Sequence, residues 1–331
     1  MGNNQYARAT DMYPDAPPPK KPPKKKRKKG GAVNRIITVI AVLALLVSGG
    51  FCIKYFKEVY DSKKQAENIA ELTTAQDAET YPAEPAEVQP QYRAAYNTNN
   101  DLVGWITVPN TAIDHPVYQG DDNDFYLRRD GNKEYLRMGS IFMDYRNSIS
   151  EFNRNTILYG HNYLNSTMFS DLEKYKDIEF YKTAPVIQFN TIYQEYKWKV
   201  FAVFLTTASP ELDNGYVFNY IYPTMTEENF VDFIDEVQKR SLYRTGVEIL
   251  PQDKILTLST CTRDLDLSSN KQEDARMVVM ARLVRDGESE TVNTDYAVAN
   301  ENPKYPQLYY DKYKLKNPYK NDAKWYPRGE K

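Results

Sequence analysis

The sequence predicts a mainly β protein with added helices, an eight-stranded closed or nearly closed barrel preceded by an N-terminal transmembrane helix. Residues 36–53, IITVIAVLALLVSGGFCI, contain no charge. Eight short runs rich in β-branched and aromatic residues follow, bounded by Gly, Pro, Asn and Asp. Only two stretches among them carry a helical pattern, too few for the alternation of a doubly wound sheet.

The 331 residues, 41% hydrophobic and 27% charged, suit about two domains and one sizeable core. A net charge of −2 excludes a chain that is basic overall, yet residues 20–29 (KKPPKKKRKK) hold eight Lys or Arg and no acid. Such a run suits nucleic acid, a localisation signal or a membrane surface. The apolar segment directly after it decides for the membrane. Its 18 residues reach roughly 27 Å as a helix, enough for a bilayer core with Arg35 and Lys54 at the ends. It starts late for a signal peptide and no clear A-x-A site follows, so it reads as an uncleaved anchor. The positive-inside rule then makes 1–35 a cytoplasmic tail and sends the rest outward, with anionic lipid a further partner for the lysines. No nucleic-acid partner is expected.

Residues 54–80 are polar and free of Gly and Pro, and predict a juxtamembrane helix or stalk. Three prolines in 81–90 (YPAEPAEVQP) mark a linker. The globular part begins near 91 and extends to about 285. Its predicted strands are 105–108, 116–118, 140–144, 156–159, 186–192, 197–206, 255–259 and 277–284. One predicted helix lies around 168–175. The other covers about 225–240, with Thr224 and Glu227 as a capping pair and Phe230, Phe233, Ile234 and Val237 as its apolar stripe. Residues 286–331 form a Tyr-rich extension. Its plainer reading is a poorly ordered tail, and the alternative is an ordered appendage that packs its tyrosines on the domain.

Chemistry-bearing residues are few. The chain has two histidines, His115 and His161, and two cysteines, Cys52 in the apolar segment and Cys261. The exported part therefore cannot form an internal disulfide. Without C-x-x-C or H-E-x-x-H spacing, no metal is expected. DDND (121–124) lacks the rest of an EF-hand and reads as a turn. No phosphate-cradling loop occurs, so nothing suggests a nucleotide, and the reading of the chain as a whole implies no metal or organic cofactor. Cys261 ends the run KILTLST, and Arg276 opens the next strand after 14 residues. If those strands are antiparallel neighbours, the two residues share one rim of the sheet. His161 also ends a strand, after Gly160. Histidine can activate a thiol or protonate a leaving amine, and a guanidinium can hold an oxyanion. By spacing alone Cys261 is either a small buried bystander or a reagent.

TLSTC (257–261), an Arg opening a terminal strand, and YGHN (159–162) resemble the sortases, membrane-anchored cysteine transpeptidases of Gram-positive bacteria. LVGWITVPNTAIDHPVYQG (102–120), DNDFYL (122–127), GSIFMDYRN (139–147), NTILYGHN (155–162) and STMFSDLEKYKD (166–177) resemble class B in particular. The resemblance covers about 90–285. It implies the sortase β-barrel, with Cys261 as nucleophile, His161 as general acid/base and Arg276 as oxyanion stabiliser. Thr260, with Ser259 and Asp264 beside it, would shape the substrate groove. His115 has no role in the pattern. The implied substrates are NPxTx- or LPxTG-like sorting signals of exported proteins, and the implied acceptor is an amine of a lipid-linked cell-wall precursor. A pilin lysine is the alternative acceptor, and a non-catalytic membrane-tethered scaffold is the alternative class. Two features depart from the family pattern: the long segment between Cys261 and Arg276, and the Tyr-rich extension.

Overall fold

The computed structural model describes residues 31–74, 88–163, 167–268 and 271–329. The basic tail through residue 30 and most of the Pro-containing linker lie outside the described residues. The chain divides into two units, Met1–Ile53 and Lys54–Lys331.

Helix α1 runs Gly31–Thr74. Residues 34–53 are exposed all round, and the helix is long and apolar enough to cross a membrane. After Lys54 its character changes. Ile69 is buried in a cluster with Trp105, Tyr118 and Tyr126, and Tyr55 and Val59 lean on the barrel core. Residues 54–74 are thus a docked helix rather than a free stalk. Helix α2 (Pro90–Thr98) starts on a proline, whose missing N–H costs nothing at a helix start, and buries Tyr92 and Ala95 in the same cluster.

Strands β1 (Leu102–Thr107), β2 (Asp114–Tyr118), β3 (Ile141–Met143) and β4 (Asn155–Tyr159) come next. Helix α3 (Ile178–Thr183) precedes β5 (Val186–Thr191) and β6 (Lys197–Thr207). Helix α4 (Glu227–Arg240), the short β7 (Tyr243–Arg244), β8 (Ile255–Cys261) and β9 (Ala275–Leu283) complete the domain. The closed barrel has the order β1-β2-β3-β4-β8-β9-β6-β5, so every predicted strand is in it. β2/β3 and β4/β8 are parallel; the other pairings are antiparallel.

Closure leaves a wall with two faces. Ile106, Val117, Leu158, Val203, Leu258 and Val279 belong to the larger core cluster. Phe201, Phe204, Val278 and Met280 meet α4 through Phe230, Phe233, Ile234 and Val237. That double burial explains why VFAVFL in β6 is continuously apolar instead of alternating.

Two helix details differ from expectation. The cap of α4 is Thr226, whose hydroxyl accepts from Asn229 N at 3.3 Å, because that N–H belongs to the third helical residue and is otherwise orphaned. Thr224 lies too early to reach it. The expected helix at 168–175 is a 3-10 helix, Ser170–Lys176; Met168 has φ of 50°, outside the right-handed helical region.

At Gly104, in an irregularity of the β1/β2 ladder, an added Cβ would stand 2.1 Å from Asn190 O on β5. Gly104→Ala is expected to destabilise the domain by about 3 kcal/mol, because two paired backbones must separate. Denaturant unfolding checks this, and a midpoint matching the parent would refute it.

The extension after Val284 is ordered through residue 329, which overturns the plainer sequence reading of this segment. Strand β10 (Val298–Ala299) pairs with β7, and helix α5 (Gln307–Tyr313) buries Leu308 and Tyr310. Tyr305 and Tyr309 stack at 3.7 Å between centroids. Trp325 packs on Phe218 and Phe233. No periodic signal foretold this, because a strap borrows its order from the surface it covers.

Candidate active site

Strand direction assembles the site. β4 and β8 are parallel, with Tyr159 opposite Ser259, so both end at one rim. β9 is antiparallel to β8 and begins at that rim, with Cys261 directly opposite Arg276. Gly160 N donates to Ser259 O at 3.3 Å, and Thr260 Oγ1 donates to Gly160 O at 2.7 Å. These bonds hold the residue before His161 against the residue before Cys261. A Cβ on Gly160 would meet the Phe169 ring at 2.8 Å, so the packing of Phe169 against this position requires glycine.

Cys261, His161 and Arg276 line one cleft of about 280 Å³, together with Ser259, Thr260 and Leu127. The Cys261 thiol is free and half-buried. His161 Nε2 lies 3.0 Å from Leu127 O. A carbonyl only accepts, so Nε2 carries the proton and Nδ1 is left as the ring's acceptor. Burial pushes the His161 pKa below its ordinary 6.5, against the Leu127 carbonyl and aided by the Arg128 charge, so the imidazole is neutral at pH 7.

Arg276 pairs with Asp274 at 2.5 Å. Burial opposes its charge, but the potential negative charges of Cys261, Tyr220 and Asp274 outweigh that and raise its pKa. The cleft therefore offers a thiol, a neutral imidazole and a fixed cation. It can form an acyl-thiol intermediate and hold the charge that develops on the carbonyl oxygen.

Thr260 lines the cleft, but its hydroxyl is committed to Gly160 O. Ser259 also lines it, and its hydroxyl is 2.8 Å from Tyr220 OH. Asp264 lies outside the cleft lining, on the loop after Cys261, ion-paired with Lys176. His115 is on β2, opposite Ile106 and apart from the cleft. The DDND segment forms a turn in which Asp122 Oδ1 accepts from the N–H groups of Asp124 and Phe125.

Sequence reasoning missed two residues. Tyr220, on the loop between β6 and α4, carries no local signal, since the loop must fold back over the rim before it reaches Ser259. Asn162 follows His161 in the quoted YGHN, and its side-chain amide donates to Cys261 O and to Glu173 Oε1, both at 2.8 Å.

His115 has a separate consequence. Burial lowers its pKa from 6.5 to about 4, with Asp114 opposing. The unfolded chain binds this proton first as pH falls, so stability is complete above 6.5 and declines towards pH 4. The full effect is about 3 kcal/mol. Thermal unfolding from pH 7 to 4 should show a shallower decline in His115→Gln than in the parent; parallel curves would remove His115 from the account.

The family model described as Sortase domain matches residues 106–284. Sortase B of Listeria monocytogenes is 35% identical over 247 residues, covering 73% of this chain and 95% of that protein. Sortase B of Staphylococcus aureus is 32% identical over 255 residues, covering 76% and 98%. Among solved structures, the Staphylococcus aureus sortase B-substrate complex matches with a TM-score of 0.59 at 32% identity, covering 69% of this chain and 99% of that one.

Proposed function

The chain belongs to the sortase family as a class B cysteine transpeptidase, and from that premise we propose that Cys261, His161 and Arg276 move an acyl group from a sorting signal to a cell-wall amine. The observation that carries this is the in-register pairing of Cys261 with Arg276 beside His161 in one cleft.

Cys261 Sγ attacks a backbone carbonyl carbon of the sorting signal, an NPxTx- or LPxTG-like segment near the C-terminus of an exported protein. The thiol proton passes to His161. The Arg276 guanidinium holds the tetrahedral oxyanion, which collapses by breaking the C–N bond. His161 gives the proton to the departing amine, leaving a thioester on Cys261. An incoming amine then loses a proton to His161 and attacks the thioester. The C–S bond breaks and the proton returns to sulfur, so the enzyme is regenerated without a redox step or cofactor.

The acceptor in this reading is an amine of a lipid-linked wall precursor. It suits a catalytic domain held outside the membrane by residues 36–53, with the basic tail in the cytoplasm. Both reactants would meet the enzyme at the membrane surface.

The test is to incubate the full chain in detergent micelles with NPxTx and LPxTG peptides plus wall-peptide amines or a pilin-type lysine peptide. Mass spectrometry then reads the products. Cleavage after Thr with amine-dependent ligation is expected, with the wall-peptide amine preferred. Preference for the lysine peptide would reassign the acceptor. Absence of cleavage and of any thioester mass on Cys261 across the panel would overturn the reading. A soluble piece starting at residue 81 is a poor substitute, because it removes Ile69 from the core.

A further inference from the structure

The matched sortase domain ends at residue 284, but the extension after it is described through residue 329. That continuation returns to the catalytic rim. Two loop segments flank the rim: residues 262–268, directly after Cys261, and residues 208–226, which bring Tyr220 to Ser259. The extension bonds to both.

On the first loop, Lys312 of α5 donates Nζ to Asp264 O at 2.7 Å. Leu308 of the same helix is buried in the core cluster that also holds Leu265. The Asp264 carboxylate is ion-paired with Lys176, and Lys176 with Glu173 at 2.5 Å. Glu173 accepts from Asn162, and Asn162 also donates to Cys261 O. Through the body of Asp264, and then Lys176, Glu173 and Asn162, polar contacts therefore join α5 to the backbone of Cys261.

On the second loop, Gln307 N donates to Asp213 Oδ1 at 2.8 Å, and Tyr216 OH donates to Trp325 O at 2.9 Å. The Trp325 ring packs on Phe218 at 6.0 Å and Tyr222 at 6.1 Å, on either side of Tyr220 in sequence. Neither Lys312 nor Trp325 lines the cleft.

We propose that the C-terminal extension is a strap that positions the catalytic rim, with Lys312 fixing the loop after Cys261 and Trp325 fixing the loop that carries Tyr220. The proposal rests on the reading of Cys261 as nucleophile. Its physical content is entropic. The segment between Cys261 and Arg276 has 14 residues, long enough to populate many arrangements unless it is anchored. Only the fraction of molecules with both walls in place acylates a bound peptide, so releasing either wall lowers the apparent rate to that fraction of its value. Lys312 and Trp325 are positioning residues in this account; neither touches reacting atoms.

The experiment compares the full-length parent, Lys312→Met, Lys312→Arg, Trp325→Leu and Cys261→Ala in micelles. The probes are Asn-Pro-Ala-Thr-Ala and Leu-Pro-Ala-Thr-Gly peptides with a quenched fluorophore. Hydrogen exchange by mass spectrometry supplies a readout independent of the peptide. In Lys312→Met, kcat/KM for the cleaved peptide should fall roughly tenfold, the value expected if about a tenth of molecules keep the wall in place. Exchange at 262–268 should rise, and melting should stay within about 3 °C of the parent. Lys312→Arg should restore both readouts, since it keeps a donor at that reach. Trp325→Leu should raise exchange at 216–222. Parent-like exchange in both Lys312→Met and Trp325→Leu would overturn the strap, as would an equal loss in Lys312→Arg and Lys312→Met. Turnover retained in Cys261→Ala would instead overturn the underlying assignment of the nucleophile, so the two failures are distinguishable.

Discussion

Cys261→Ala is expected to abolish both thioester formation and amine ligation while leaving the barrel folded. The thiolate is the nucleophile of the proposed reaction, and neither His161 nor Arg276 can form the acyl bond in its place. The structural cost is small. Cys261 is the last residue of β8 and half-buried, and its carbonyl bond to Asn162 does not involve sulfur. The stability change should remain within about 1 kcal/mol, as for substitutions that remove no buried partner. Mass spectrometry of the peptide reaction and a thermal melt give both answers on one sample. Undiminished cleavage in the variant would end the assignment.

Arg276→Ala is expected to lower kcat by roughly 10²–10³, the usual effect of removing one donor to a developing oxyanion. KM should change little, because the ground-state carbonyl is neutral and gains less from the cation than the tetrahedral oxyanion does. Arg276→Lys should recover only part of the rate, as an ammonium is a point charge without the guanidinium's planar fork. Stability should change little, since the ion pair with Asp274 is partly solvated and Asp274 keeps a 2.9 Å bond from Ser209. A variant with raised KM and unchanged kcat would make Arg276 a substrate-binding group instead.

Much of this protein is legible in local pattern. All eight strands can be predicted from β-branched and aromatic runs, and the buried stripe of α4 from its spacing, because both periodicities are properties of a few adjacent residues. The proximity of Cys261 and Arg276 follows once the last two strands are taken as antiparallel neighbours. His161 is different. It reaches the rim through a parallel pairing with β8, and the bond from Thr260 to Gly160 joins residues 100 apart in the chain. The resemblance to the sortases implied His161 as the partner of Cys261, but no sequence reading pointed to the parallel pairing that brings it there.

The supporting residues were less legible still. Asn162 is one residue from His161, but its partners, Cys261 O and Glu173, depend on the folded rim. Tyr220 belongs to an irregular loop without periodicity. The extension reads as loose polar sequence, and its order comes from Leu308 and Trp325 entering clusters built by the barrel.

The apolar helix, the strands, the buried face of α4 and the scarcity of reactive side chains that singles out Cys261 can all be read along the chain. Those features arise from side-chain chemistry and backbone geometry within one element. Folding adds the parallel pairing that carries His161 into the cleft of Cys261 and Arg276, the bond by which Asn162 braces Cys261, and the return of the extension to both flanking loops. These depend on barrel closure and on contacts between distant residues, and such contacts form only when the whole core is buried together.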